Sequence, residues 1–315
     1  MKGDPRREAV PISVVIPTYN RAPLIGRAIE SVLSQRLPPL EVIVVDDGSQ
    51  DDTRREVETF RTRVRYISQE NAGAAAARNR GMQSARHKWV APLDSDDVWF
   101  DTHLERMAEV IRSTGGSARF YFADTIAPKE KGGGSWWDLC GFSISADYVL
   151  AASAAEWVLK RPQPMMVQST VFDREAFLSA GGFFEALRIG EDTHLFLKLG
   201  LNGSACAVAG YATRMTSDDV PENRLTLTYE ADIRRTQMQV LMFEDLVARR
   251  QELRGPQRRE LQGRLANAHR RLVRQAWVAG QRWAAVRHAA AWARNDPLAW
   301  IGGLSDRLGG RRGRR

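Results

Sequence analysis

The first hundred residues alternate between two hydrophobic spacings, and that alternation restricts the fold more than any other feature of the chain. "ISVVIPTYN" (Ile12 to Asn20) is a β-branched run closed by Pro17 and a polar turn, the pattern of a buried strand. In "APLIGRAIESVLSQ", Leu24, Ala28 and Val32 recur every four residues, as do Ile25, Ile29 and Leu33, which predicts a helix with one apolar face. "LEVIVVDDGSQDDT" repeats the first pattern, with a strand from Leu40 to Val45 running into acidic and glycine turn residues. "RVRYIS" reads as a weaker strand, "NAGAAAARNRGMQSA" as an Ala-rich helix starting near Asn71, and "KWVAPLD" as another strand. The order β-α-β-α-β-α-β predicts an α/β domain with a mostly parallel sheet flanked by helices.

In such sheets ligands bind beyond the carboxyl ends of the strands. Three predicted strand ends carry polar residues: Thr18-Tyr19-Asn20, Asp46-Asp47-Gly48-Ser49 and Asp94-Ser95-Asp96-Asp97. Parallel strands would bring all three to one edge. Three carboxylates within four residues repel one another and lose hydration on burial, so a cation among them or a solvated turn is expected. A calcium loop starting at Asp94 is excluded, because Val98 and Trp99 occupy positions that need a ligand and a glycine.

Further along, "ARFYFADT" predicts a strand and "APKEKGGGSWWDLCG" a long mobile loop. "VQSTVFDREAFLSAGGF" reads as a strand, a short helix and a glycine turn. "EDTHLFLKLGLNG" opens a helix with two acids, where the helix dipole favours them. His194 is expected on the polar face of that helix. "ACAVAGYAT" is a further strand, and beyond about Tyr229 the pattern is helical and rich in arginine.

Charge divides the chain. Residues 231–315 hold 19 Arg against 7 Asp or Glu, a net +12 of the total +8, which leaves −4 for the first 230 residues. The expected organisation is a catalytic domain over 1–229, a helical Arg-rich extension over 230–306 and a disordered basic tail over 307–315. No apolar run is long enough for a transmembrane helix. The polar N-terminus lacks the apolar core of a signal peptide. Cys140 and Cys206 form no metal or disulfide pattern and are expected to be buried thiols. Together these point to a cytoplasmic protein.

The three strand ends, the Ala-rich helix, "LDSDD" and "GGFFEALRIGED" together resemble the family 2 glycosyltransferases of GT-A fold, over about Ile12 to Tyr211. The resemblance implies a Rossmann-like GT-A domain followed by a C-terminal helical extension. It implies transfer of a sugar from a nucleoside-diphosphate sugar, first of all a UDP-linked one, to a glycan or lipid-linked acceptor hydroxyl, with inversion and with Mg²⁺ or Mn²⁺. Carried onto this sequence, it makes Asp96 the main metal ligand and Asp94 a shared one. Pro17, Tyr19, Asp47, Arg78 and Asp94 would hold the nucleotide. Asp192 would be the catalytic base, with Glu191 orienting acceptor or base. Hard carboxylate oxygens suit Mg²⁺ or Mn²⁺, and a carboxylate beside the acceptor can take its proton. The sequence departs from the family in one place: "YATRMTSDDVPENRLT" has no His after the last core strand, which leaves Arg214 or Asp218 as substitutes.

Two rivals stay open. A nucleotidyltransferase can use a similar sheet, although the basic Gly-rich N-terminal loop usual there is missing. A non-catalytic family member would bind nucleotide-sugar or a partner protein. The basic extension reads as a helical subdomain, with peripheral contact to anionic lipid at the inner face of a membrane as an addition. No recognition motif supports a nucleic-acid partner.

Overall fold

A computed structural model describes residues 10–128, 132–216, 232–249, 253–297 and 300. The chain divides into two compact units, Met1–Pro221 and Glu222–Arg315. The expected tail at 307–315 and the expected boundary at 229/230 lie outside the described residues.

The first unit is built on a nine-stranded mixed sheet. Its N-terminal half follows the predicted alternation: β1 (Ile12–Thr18), α1 (Ala22–Leu33), β2 (Glu41–Asp46), α2 (Thr53–Glu58), β3 (Arg65–Ser68), α3 (Ala74–Ser84) and β4 (Trp89–Pro92). Strands β3-β2-β1-β4 lie side by side and all run parallel. Every residue of β1 is buried, as expected for a strand covered on both faces. Side chains alternate across it. Ile12, Val14 and Ile16 join one core with residues of α1 and α4 (His103–Ser113), while Val15 faces α3. That approach is close: a Cβ on Gly81 of α3 would stand 2.2 Å from Val15 Cγ1.

Beyond β4 the sheet mixes directions. After the short β5 (Val98–Trp99) come β6 (Phe120–Ile126), α5 (Trp136–Leu139), β7 (Tyr148–Ala151), α6 (Ala155–Val158), β8 (Thr170–Asp173), α7 (Arg174–Ser179), α8 (Glu191–Gly200) and β9 (Ala205–Arg214). β8 runs antiparallel to both β4 and β6, β6 is parallel to β9, and β5 and β7 pair antiparallel with β9. Phe196 of α8 packs on Phe120 and Phe172 at 5.4 and 5.7 Å between ring centroids, which seats α8 against β6 and β8.

Two expectations are corrected. The segment after β6 was expected to be a mobile loop, but its described part is tied down. Asp124 accepts from Ser135 Oγ at 2.6 Å and from Trp137 N at 3.0 Å. Trp137 is buried and packs edge-on against Phe122 and Phe142. Only residues 129–131 of it lie outside the described residues. His194, expected on a polar face, is fully buried with its ring 5.3 Å from Phe184. Both cysteines are buried and free, and burial pushes their thiols up, to about 11 for Cys140 and about 12 for Cys206.

Among the described residues the second unit holds α9 (Asp232–Ala248), α10 (Gly255–Val278) and α11 (Arg282–Asn295). Leu261, Leu265, Ala268 and Leu272 bury one stripe of α10 at helical spacing. No described helix is long and apolar enough to cross a membrane.

Candidate active site

The strand order reverses at β1, which has β2 on one side and β4 on the other. Such a reversal opens a crevice at the carboxyl ends of the strands. β1 opens into Tyr19-Asn20-Arg21, β2 into Asp47-Gly48-Ser49, and β4 into Leu93-Asp94, so the three polar stretches do share an edge.

The first two are tied to each other. Asn20, in a left-handed conformation with φ 50°, donates from its N–H to Ser49 Oγ and accepts at Oδ1 from Gln50 N. Tyr19 is left 43% exposed at the rim. Pro17 is buried within β1. Val15 O accepts from Leu93 N and Thr18 O from Asp47 N. By alternation, the N–H that Pro17 lacks faces β4 where its pairing stops, the position at which a sheet tolerates proline. Pro17 therefore contributes a fixed backbone and little side-chain surface.

Asp46 orients the turn, accepting from Ser49 N at 2.8 Å and Tyr66 Oη at 2.5 Å. Asp47 is equally committed. Its Oδ1 accepts from Gln69 Nε2 and Ala72 N, and its Oδ2 from Gly73 N, at 2.7 to 2.9 Å. The expected role of holding the nucleotide thus meets a carboxylate already engaged in holding the entry of α3. Gly73 stands at that entry with φ 98°, and a Cβ there would come within 2.6 Å of Arg188 Nη1.

Helix α3 supplies the centre of the site. Arg78 is buried and bridges two acids: Nη2 donates to Asp94 Oδ1 at 2.6 Å and Nη1 to Glu191 Oε1 at 2.8 Å. Burial alone would lower the guanidinium pKa, but the carboxylates of Asp94 and Glu191 raise it, and the net shift is upward. For Glu191 burial pushes the pKa up and Arg78 opposes it, while neighbouring Asp192 adds to the upward shift. The next residue, Asn79, was not anticipated. Its amide donates to Phe183 O and Glu185 Oε1 and accepts from Phe183 N. Together Arg78 and Asn79 fix the "GGFFEALRIGED" segment onto α3. The signal in the sequence was the helix itself: polar residues within an alanine run that is buried along its length need partners.

The acidic turn after β4 closes by a bond from Asp97 N to Asp94 O at 3.0 Å. Asp97 is buried and accepts from Thr216 N at 3.1 Å, and Thr216 Oγ1 donates to Asp96 O. Thr216 was missed, and nothing in its local sequence marks it. Arg214, one candidate for the absent histidine, lies 5.6 Å over the ring of Phe100; the other, Asp218, is outside the described residues. Arg21 was also missed. Its Nη2 is 3.8 Å from Asp96 Oδ2.

The side chains of Asp94 and Asp96 stay 26% and 29% exposed. Among the described residues no three His, Cys, Asp or Glu side chains gather as a ready-made metal centre. Two hard carboxylates with the rest of the shell left to phosphate and water suit Mg²⁺ or Mn²⁺, which bind by one or two carboxylates plus substrate phosphate, better than Zn²⁺. Asp192 stands at the start of α8, half-buried. Its Oδ1 accepts from Thr193 N at 2.6 Å, and its Oδ2 has no partner among the described residues.

Solved structures share this fold. Staphylococcus aureus TarS 1-349, in complex with UDP-GlcNAc, superposes with a TM-score of 0.61 at 16% identity, over 91% of this chain and 92% of that one. A mannosyltransferase of Pyrobaculum calidifontis, in complex with GDP-Man and Mn²⁺, gives 0.55 at 22% identity, over 97% and 81%. The fold is that of a GT-A glycosyltransferase. Residues 13–135 match the family described as glycosyl transferase family 2. The succinoglycan biosynthesis protein ExoO of Rhizobium meliloti is 35% identical over 231 residues, covering 66% of this chain and 62% of ExoO. The match spans only part of such relatives, 20% of an uncharacterized glycosyltransferase of Rickettsia felis and 14% of one of Rickettsia bellii.

Proposed function

We propose that the protein moves a sugar, with inversion, from a nucleoside-diphosphate sugar, UDP-linked in the first instance, to a hydroxyl of a glycan or lipid-linked acceptor. The observation that carries this reading is the Arg78 bridge, because it ties the Asp94 turn to the start of α8, where Asp192 stands. A donor at the first and an acceptor at the second would then share one cleft.

Each residue follows from its surroundings. Tyr19, exposed at the rim, stacks on the base. Asp47 holds the Ala72–Gly73 edge of the nucleoside pocket through the bonds described above. Asp96, with Asp94, would hold Mg²⁺ or Mn²⁺, which when bound offsets the charge developing on the leaving diphosphate. Glu191 is spoken for by Arg78 and is a positioning residue, whereas Asp192 keeps Oδ2 available. Asp192 takes the acceptor proton as the acceptor oxygen forms its bond to the anomeric carbon. The bond from that carbon to the phosphate oxygen breaks on the opposite face, through an oxocarbenium-like transition state, and the nucleoside diphosphate leaves with the electron pair.

The test is thermal unfolding with UDP, GDP and dTDP, each with and without Mn²⁺. Stabilisation by UDP that grows with Mn²⁺ is expected, since a ligand bound only by the folded state raises stability. No response to any nucleotide would overturn the reading. A response to GDP alone would overturn the UDP assignment.

A further inference from the structure

The second unit carries a surface to which the proposed sugar transfer assigns no role. α10 ends at Val278, α11 begins at Arg282, and the turn between them passes through Gly280 at φ 72°. Around this tip Trp277 is 66% exposed, Val278 88%, Trp283 84% and Val286 56%. Single exposed apolar residues are ordinary, but a cluster of four large ones at one helical corner marks a contact surface. The two indoles make no ring contact among the described residues. By contrast, Trp292 of the same unit packs edge-on against Trp300 at 5.0 Å.

The charge around the tip is of one sign. From Leu261 to Asn295 the sequence holds seven Arg and no Asp or Glu. Arg274, Arg282 and Arg287 are exposed. Trp283, Val286 and Arg287 follow one another at the three- and four-residue spacing of a single helix face.

We propose that this tip is the site at which the protein docks peripherally on an anionic lipid bilayer, with Trp277, Val278 and Trp283 entering the boundary between headgroups and acyl chains and the arginines meeting lipid phosphates. Indole rings favour that boundary, where one edge is apolar and the N–H stays wet. Basic side chains with apolar stems reach the headgroups from the same depth. A second copy of the chain fits less well, because a two-fold contact through this patch sets arginines against arginines with no acid to offset them. A nucleic acid would meet the arginines and leave Val278 in water.

The test uses the full chain in flotation with vesicles of phosphatidylcholine alone and of phosphatidylcholine mixed with phosphatidylglycerol. The chain should float with the mixed vesicles, and its tryptophan emission should shift to the blue. The double substitution Trp277→Ser/Trp283→Ser should weaken vesicle binding at least about tenfold, which is about 1.4 kcal/mol. Its melting temperature and nucleotide response should not change, so failure here is separable from failure of the transferase reading. Arg274→Gln/Arg282→Gln/Arg287→Gln should remove the preference for phosphatidylglycerol. Equal flotation of the double variant and the unsubstituted chain would overturn the proposal. So would self-association that the double variant loses, or nucleic-acid binding without vesicle binding.

Discussion

Arg78 and Glu191 stand 113 residues apart in the sequence and meet at 2.8 Å. The same guanidinium reaches Asp94 at 2.6 Å, so one cation on α3 sets the separation of two acidic stretches. Removing it strands both carboxylates. Arg78→Ala should cost about 3 kcal/mol of stability, read from the urea midpoint. It should also lower the transfer rate by about a hundredfold through misplacement of the two stretches. Arg78→Lys should recover little of either, because an ammonium cannot reproduce the planar fork. A normal rate in Arg78→Ala would remove this residue from the site.

Asp192→Asn should lose about 10² to 10⁴ in kcat, the range for a positioned general base, while calorimetry finds donor binding intact. Glu191→Gln keeps an oxygen for Arg78 and should lose much less. The reverse order of effects would exchange their roles.

Gly81 lets α3 lie on the sheet. Gly81→Ala places a methyl 2.2 Å from Val15 Cγ1 and 3.2 Å from Val45 Cγ2. The crowding should cost about 1–3 kcal/mol, more than the helix propensity gained, and should lower the melting temperature. Because α3 carries Arg78 and Asn79, activity should fall with it. An unchanged melting temperature would mean that the helix can lift off at no cost.

His103 is buried beside Trp99, and burial pushes its pKa from the ordinary 6.5 down to about 3. Between those values the unfolded chain takes a proton that the folded chain refuses. Stability should therefore fall as pH drops from 6.5 toward 3, by up to about 1.4 kcal/mol per pH unit from this group. His103→Gln should flatten that slope in urea titrations. The same slope in the variant would assign it to other groups.

The parallel half of the sheet was legible because each element obeys one spacing: β1 is a buried β-branched run, and α1 repeats its apolar residues every fourth position. The convergence of Asp47 and Asp94 on one edge followed from parallel pairing alone. What escaped was whatever tertiary packing decides. His194 looks polar in sequence, yet its ring is covered by Phe184. The segment around Trp136 and Trp137 looks loose because its glycines promise freedom, and nothing local reveals that Asp124 will hold it. The resemblance expected Arg78 at the nucleotide, but its pairing with Asp94 and Glu191 was not legible, since Glu191 lies more than a hundred positions away. Thr216 had no signal at all, because a lone threonine after a strand is common turn chemistry.

The clamp from Thr216 onto Asp96 and Asp97 has a consequence for how the protein can be dissected. The match to the glycosyl transferase family 2 model stops at residue 135, yet the acidic turn inside that stretch is held shut by a residue near the far end of the same unit. A fragment trimmed to residues 13–135 would keep the family signature and lose the latch, so signature and competence occupy different lengths of this polypeptide.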